Sequence, residues 1–174
     1  PGPGTNEPPP VDPPAPQARA CTPEALSDVV LQDAKITGAE VIAAGATRPN
    51  DLPAFCRITG QSTPSTSSLI NFEVWIPEGA AWNGKMVVTG NGGYSPSLST
   101  GDMAHAMRQG YAVVGGDTGH QTNDMAWGIN QPEKIKDWGT RSIHAITVPS
   151  KQLIAGKEAK APARSYYYGC STGG

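Results

Sequence analysis

The residues that most constrain the fold of this 174-residue chain stand at its C-terminal end, where an aromatic run meets alternating small residues. Residues 164–168 (R-S-Y-Y-Y) have the composition of a β-strand, and Gly169, Ser171 and Gly173 follow in the spacing G-x-S-x-G. Glycines flank a serine in this way when a strand turns sharply into a helix and leaves little room for side chains. The segment therefore predicts a strand–turn–helix unit that presents Ser171 as a nucleophile. The alternative is an ordinary Gly/Ser turn at the end of a domain.

Strand-like and helix-like segments alternate through most of the remaining chain. Strands are predicted at 38–44, 69–76, 85–89, 111–116 and 164–168. A further strand is predicted to follow the turn formed by 51–58. Helices are predicted to begin at Thr22 and run through Leu31, to cover 102–109, and to cover 132–154 with a kink or division at Pro149. This alternation predicts an α/β fold with a largely parallel sheet.

The N-terminal segment, residues 1–20, is rich in proline and poor in apolar side chains. Such a composition favours an extended, solvated chain, and we interpret it as a tether in front of a folded domain at 21–174. A ligand for a proline-binding domain is the alternative interpretation.

Charge and hydropathy exclude several classes of protein. The formal net charge is −2, so the chain lacks the basic character of a nucleic-acid-binding protein. No apolar run approaches the roughly 20 residues needed to span a bilayer. The sequence shows neither an initiator methionine nor the apolar core of a signal peptide, as expected of a mature secreted chain or of a fragment.

The chain has three cysteines, Cys21, Cys56 and Cys170, and no C-x-x-C pair, which argues against a zinc ribbon or a thioredoxin-type motif. If Cys21 and Cys56 pair, Cys170 is left as a free thiol or awaits a partner elsewhere. A disulfide would place the protein outside the cytoplasm.

A nucleophilic serine needs a base and an acid that orients the base. In α/β-hydrolases both follow the serine along the chain, whereas all three histidines here (His105, His120 and His144) precede Ser171. We therefore expect the chain to stop just after the nucleophile, without its acid and base, and to lack turnover on its own.

Two backbone amides would complete an oxyanion hole. One is expected after the nucleophile, at Thr172, and the second in a loop after an early strand, where 91–93 (N-G-G) fits. Glycines let such a loop approach a substrate closely. The alternative is a common Gly-Gly turn, and the loop does not match the dinucleotide-binding pattern G-x-G-x-x-G.

Seven short blocks in this order resemble the tannase and feruloyl esterase family, which includes the hydrolase of mono(2-hydroxyethyl) terephthalate. The blocks are 52–57 (L-P-A-F-C-R), 72–77 (F-E-V-W-I-P), 82–84 (W-N-G), 90–94 (G-N-G-G-Y), 110–113 (G-Y-A-V), 117–120 (D-T-G-H) and 169–174 (G-C-S-T-G-G). The resemblance covers about 21–174 and implies the N-terminal portion of an α/β-hydrolase fold, truncated just after the nucleophile.

The resemblance also implies roles for individual residues. Ser171 would be the nucleophile, and the amides of Gly93 and Thr172 would bind the oxyanion. Cys21 and Cys56 would form a disulfide, and Cys170 would pair with a cysteine beside the catalytic histidine, outside this chain.

Further implications concern substrate and surroundings. The intact protein would be a secreted or periplasmic carboxylic ester hydrolase acting on esters of aromatic acids, such as gallate, ferulate or terephthalate. It would use no cofactor for catalysis, and a structural calcium would sit only in a lid domain absent from this chain.

Several conspicuous side chains receive structural interpretations. We expect Asp117 to be a turn or capping residue, His120 to be structural although its loop could approach substrate, and His144 to lie on the surface or in a packing contact. Trp75 and Trp138 are expected in the core. The rival functions are a non-catalytic secreted binding module on a Pro-rich tether and a different serine hydrolase, such as a peptidase or lipase.

Overall fold

The computed structural model describes residue 15 and residues 17–47 and 51–174. Most of the predicted tether, residues 1–14 and 16, lies outside the described residues. The described strands form one sheet in the order β1-β2-β3-β5-β4-β6. Their bounds are β1 Ala34–Ile42, β2 Phe55–Ser62, β3 Ile70–Pro77, β4 Lys85–Thr89, β5 Ala112–Gly116 and β6 Arg164–Tyr168.

The sheet is mixed, so the predicted largely parallel sheet is wrong. Strands β1, β2 and β3 form an antiparallel meander, and β3 also pairs antiparallel with β5. Among the described strands, only β4 has parallel neighbours on both sides, β5 on one and β6 on the other. The loop between β2 and β3, residues 63–69, is long enough to join antiparallel neighbours but too short for the crossover that parallel neighbours need. The α/β class itself is confirmed.

Apolar layers cover both faces of the central strands. Along β4, the alternate residues Met86 and Val88 point into one apolar cluster and Val87 points into the other. The first cluster contains Ile146, Leu153 and Ile154 of the long helix, and the second contains Met103 and Met107 of the helix on the opposite face. Burial on both faces explains why β4 and β5 are almost continuously apolar rather than alternating.

The helix on the second face is α1 (Thr100–Met107), which ends before Gly110 at a φ of +80°. The predicted helix over 132–154 is divided, but not at its proline. It consists of α2 (Pro132–Lys136), a π-helical turn (Asp137–Arg141) and α3 (Ser142–Glu158).

Helix α3 passes through Pro149 without a break. A proline lacks the N–H that would bond the carbonyl four residues earlier, here that of Ala145. The hydroxyl of the buried Ser62 donates to this carbonyl at 3.1 Å and takes the place of the missing donor. The predicted division at Pro149 is therefore wrong, because a side chain of β2 satisfies the freed oxygen, while the predicted kink stays a prediction.

The predicted helix after Thr22 is also wrong: residues 23–28 form turns. Thr22 does accept a capping bond, since its Oγ1 lies 3.2 Å from the backbone nitrogen of Ala25. Starting a helix is unfavourable without packing along a whole face, and here Leu26 is buried while Val30 is 84% exposed. Cys21, just before these turns, forms the predicted disulfide with Cys56 of β2, with 5.6 Å between the Cα atoms.

Helix and strand placement brings three loops to one edge of the sheet. Strands β4, β5 and β6 run parallel, so their carboxyl ends lie side by side. The following loops are 90–94, 117–120 and 169–174, and clefts at the carboxyl ends of parallel strands are where α/β proteins bind ligands. Within the described residues, no helix is long and apolar enough to cross a membrane.

Candidate functional site

The turn after β6 has the local geometry of an elbow that presents a serine. Cys170 is extended, and Ser171 then adopts a φ of +58° and begins a single turn of 3-10 helix, Ser171–Gly173. Positive φ is uncommon outside glycine and costs about 1–3 kcal/mol, so it persists where the surroundings enforce it. Both Cys170, a free thiol, and Ser171 are exposed.

The flanking glycines are required by close backbone approaches. A Cβ atom on Gly169 would collide with the carbonyl oxygen of Gly173. One on Gly173 would lie 2.5 Å from the carbonyl oxygen of Asn91, in the loop after β4. The hydroxyl of Tyr167 donates to the same Gly173 carbonyl. The elbow is thus folded tightly on itself and against the neighbouring loop.

The glycine-rich loop after β4 lies directly beside this elbow. Thr89 pairs with Tyr168 in the sheet, and the Gly90 N–H donates to the Tyr168 carbonyl at 2.9 Å. Farther along the loop, the hydroxyl of Thr172 donates to the carbonyl of Gly93 at 3.1 Å. The structure therefore places Thr172, the residue after Ser171, in contact with Gly93.

The two nominated oxyanion amides are available for a ligand. Gly93 has a φ of +59°, which a glycine adopts without strain. Within residues 17–47 and 51–174, neither the Gly93 N–H nor the Thr172 N–H donates a hydrogen bond to another group. Two unpartnered amides beside an exposed hydroxyl are what an oxyanion hole requires.

Asn91 fastens the base of this loop to the sheet. It is buried, and its Nδ2 donates to the carbonyl of Gly116 at 2.8 Å and to that of Ser95 at 3.3 Å. The hydroxyl of Ser99, just before α1, donates to the carbonyl of Gly90 at 2.9 Å. Sequence reasoning placed Asn91 in the loop but did not identify this anchoring role.

Asp117 is a turn residue, as predicted. Its carboxylate accepts hydrogen bonds from both the backbone and the side-chain nitrogens of Asn71, at 3.0 and 2.7 Å, and from Gly119 and Gln121. Burial raises the pKa of Asp117 above its usual range, although these hydrogen bonds act in the opposite direction. Asp117 thus holds the start of its loop against β3.

His120 has a structural role, as predicted, because its side chain is buried and contacts other parts of the protein. It is 1% exposed, and its Nε2 lies 2.9 Å from the carbonyl oxygen of Tyr94, an acceptor that places the proton on Nε2. Its ring stacks on Trp127 with 4.3 Å between ring centroids. His105 and His144 are exposed on α1 and α3. None of these three histidines hydrogen-bonds Ser171.

The two tryptophans predicted in the core have different environments. Trp75 is 8% exposed and lies in the apolar cluster, as predicted. Trp138 is only half-buried, so its prediction is wrong. It lies in the π-helical turn, donates from Nε1 to the Gly93 carbonyl at 3.4 Å, and stacks on Tyr94 with 5.1 Å between ring centroids. The π turn directs this ring to the functional edge, which helical periodicity alone could not reveal.

Metal ligands do not cluster in the part of the chain that the structure describes. No group of three or more His, Cys, Asp or Glu residues there could hold a metal ion. The calcium expected in a lid outside this chain therefore stays a prediction.

Comparisons with known proteins place the chain in a family. A family model described as "Tannase and feruloyl esterase" matches residues 56–174. An uncharacterized esterase of Xanthomonas campestris is 36% identical over 83% of this chain, and a probable feruloyl esterase B-1 of Neosartorya fischeri is 36% identical over 69% of it. The crystal structure of feruloyl esterase B from Aspergillus oryzae matches with a TM-score of 0.76 and 31% identity over 86% of this chain.

These relatives are much longer than the present chain. The match covers 26% of the Xanthomonas protein, 22% of the Neosartorya protein and 32% of the Aspergillus structure. The structural match confirms the predicted α/β-hydrolase fold class for the region that is shared.

Proposed function

Because this chain belongs to the tannase and feruloyl esterase family, we propose that the natural protein containing it is a serine esterase that hydrolyses esters of aromatic acids. The observation that carries the proposal is the position of Ser171. It stands exposed, at positive φ, on a sharp turn beside the unpartnered amides of Gly93 and Thr172.

The reaction is an acyl transfer. The Ser171 Oγ attacks the ester carbonyl while its proton passes to a base, and the carbonyl oxygen becomes an oxyanion. The Gly93 and Thr172 amides donate to that oxyanion, which stabilises the tetrahedral intermediate more than the planar ester. The alcohol leaves with a proton returned by the base, and water then releases the acid from the acyl-serine. This chemistry needs no cofactor.

We infer that the base and its orienting acid come from another part of the natural protein. The histidines of this chain do not reach Ser171, and its relatives are about three to five times as long as the matched region. We assign the base to a histidine and the acid to an aspartate in the remainder of the natural protein. A cysteine next to that histidine would pair with the free, exposed Cys170, tying base and nucleophile together.

An oxidising location fits the same proposal. The Cys21–Cys56 disulfide joins the N-terminal turns to β2, and such bonds persist mainly outside the cytoplasm. We therefore place the protein in the periplasm or outside the cell. Its partner there is a small aromatic ester.

The test is hydrolysis of methyl ferulate by the natural protein and by its Ser171→Ala variant. Removing the nucleophile should lower kcat by at least about a thousandfold. The matched control is Ser165→Ala, an exposed serine of β6, which should keep wild-type turnover. Full activity in S171A would refute the assignment. A wild-type protein that folds, binds methyl ferulate and turns over no ester would favour the binding-module alternative.

A further inference from the structure

The glycines at the tip of the loop after β4 are open to solvent rather than fixed by packing. Gly92 and Gly93 are both exposed, and no described atom outside their own chain neighbours lies within 4 Å of either Cβ position. The elbow glycines Gly169 and Gly173 differ, because backbone atoms crowd their Cβ positions. A glycine adopts positive and negative φ about equally readily, so the φ of +59° at Gly93 has to be maintained by contacts of its flanking peptides.

The carbonyl of Gly93 makes two such contacts. The indole Nε1–H of Trp138 donates to it at 3.4 Å, and the hydroxyl of Thr172 donates to it at 3.1 Å. One donor lies on the π-helical turn and the other on the elbow, so the same oxygen is held from two separate elements. We propose that Trp138 is a positioning residue whose indole N–H keeps the Gly93 amide aimed at the oxyanion, an inference that rests on the proposed esterase function.

The peptide on the other side of Gly93 is held as well. It carries the Gly93 N–H together with the Gly92 carbonyl, and this carbonyl accepts from the Ser95 N–H at 3.3 Å. With a peptide fixed on each side, the φ and ψ torsions of Gly93 are fixed too, and so is the direction of its N–H. An oxyanion hole is effective because its donors are in position before charge develops. The hydrogen bond from Trp138 therefore contributes to the reaction through Gly93.

The ring of Trp138 has a fixed orientation of its own. It stacks on Tyr94 with 5.1 Å between ring centroids, and the carbonyl of Tyr94 accepts from the buried His120 at 2.9 Å. His120 stacks on Trp127, whose ring centroid lies 6.2 Å from that of Trp138. A side chain already held by neighbouring rings loses little conformational entropy when it forms a hydrogen bond. The indole N–H is thus directed at the loop before any ester binds.

The π-helical turn carries Trp138 to this edge of the sheet and is anchored on the loop after β5. Its first residue, Asp137, is buried and accepts from the Arg141 Nε at 2.5 Å. A Cβ on Gly119 would lie 2.8 Å from the Cβ of Asp137, so the turn and the loop are in direct contact. Single π turns inside helices occur frequently at functional sites. The loop after β5 therefore supports the backbone from which the indole projects.

Trp138→Phe removes the indole N–H and keeps an aromatic ring that can stack on Tyr94. In the natural protein it should lower kcat for methyl ferulate by about fivefold, the effect of losing one ordinary hydrogen bond, and leave KM within about twofold. The matched control is Ile129→Ala, which should keep the wild-type kcat. Ile129 is 67% exposed and lines an apolar groove together with Trp138, but its hydrocarbon side chain has no hydrogen-bond donor.

A transition-state analogue measures the oxyanion hole directly. The trifluoromethyl ketone with the aryl group of ferulate accepts the Ser171 Oγ at its carbonyl carbon, the serine proton passes to the base, and the carbonyl oxygen becomes an oxyanion. Its inhibition constant should rise in Trp138→Phe by the factor by which kcat/KM falls. Methyl ferulate, with its planar carbonyl, should bind equally well to S171A and to S171A/W138F in isothermal titration, which a loosened binding site would not allow.

The outcomes separate the role of Trp138 from the esterase assignment. A wild-type kcat in Trp138→Phe, a rise in KM in place of a fall in kcat, or an equal loss in Ile129→Ala would each overturn the positioning role while the esterase assignment stood. A natural protein that does not hydrolyse methyl ferulate would overturn the esterase assignment, and the positioning role with it.

Discussion

The hydroxyl of Thr172 donates to the carbonyl oxygen of Gly93 at 3.1 Å, across 79 positions of the sequence. One residue lies on the elbow after β6 and the other in the loop after β4, and both amides are nominated to bind the same oxyanion. The side-chain bond therefore sets the spacing between two backbone donors. Electrostatic stabilisation of a transition state depends on donors that are already in position.

Thr172→Val should lower kcat of the natural protein for methyl ferulate by about tenfold, with a smaller change in KM. Valine keeps the shape of threonine and the backbone amide but removes the hydroxyl that holds Gly93, a hydrogen bond that contributes about 1 kcal/mol. Steady-state kinetics measure both constants. Thr172→Ser keeps the hydroxyl and should recover most of kcat, so equal losses in the two variants would contradict a positioning role.

Gly173→Ala should lower the free energy of unfolding by about 1–3 kcal/mol, because a Cβ there would lie 2.5 Å from the Asn91 carbonyl oxygen and 2.8 Å from its nitrogen. Both neighbours are backbone atoms that cannot move aside cheaply. Gly101→Ala in α1 is the matched control, since nothing lies within 4 Å of its Cβ position. That change should stabilise the protein by about 0.5–1 kcal/mol. Denaturant unfolding compares the two, and a neutral G173A would show that the elbow does not pack on the loop.

Replacing Cys21 and Cys56 together by serine should reduce the free energy of unfolding by about 2–5 kcal/mol, because the bridge closes a loop of 35 residues in the unfolded chain. In this 174-residue chain, Cys170→Ser should have little effect, since its thiol is free and exposed. Non-reducing peptide mapping provides the direct check. A Cys170 bridge to Cys21 or Cys56 would be incompatible with the structure.

The stability of the chain should respond to the ionisation of Asp117. Burial raises its pKa in the folded state above the ordinary value of 3.8, so the folded chain holds this proton to higher pH than the unfolded chain. The contribution of Asp117 to the free energy of unfolding is therefore most favourable below pH 3.8. It is lost as the pH rises through the folded-state pKa. Relative to Asp117→Asn, the wild-type protein should lose stability over that interval. Urea unfolding at a series of pH values tests the sign, and a parallel pH dependence in the two proteins would contradict it.

Much of the functional edge could be predicted because its residues are neighbours in sequence. The bounds predicted for β4 and β6 agree with the structure, and the loop containing Gly93 and the elbow containing Ser171 follow those strands directly. Their glycines are informative because the close approaches at Gly169 and Gly173 exclude every side chain. The Cys21–Cys56 disulfide also agrees with what the family resemblance implied.

Other features depended on contacts between distant segments and were predicted wrongly. Thr22 forms its capping bond, yet residues 23–28 form turns rather than a helix, with Leu26 buried in the core and Val30 84% exposed. Pro149 lies inside an unbroken helix because Ser62, on a strand far away in sequence, satisfies the carbonyl that the proline frees. Strand direction likewise follows from the length and path of connections, so the periodicity of β1 to β3 could not distinguish an antiparallel meander from parallel strands.

The sequence by itself determined the elbow, because a serine between obligatory glycines after an aromatic strand is typical of a sharp strand-to-helix turn. Only the tertiary structure decided what surrounds it. The helical pattern predicts Trp138 in the core, but the π turn brings its ring to Gly93 and to an exposed apolar groove. Steric contacts between neighbours in the chain can be predicted from the sequence. The position of a side chain at the edge of a sheet depends instead on how separate helices, strands and loops pack.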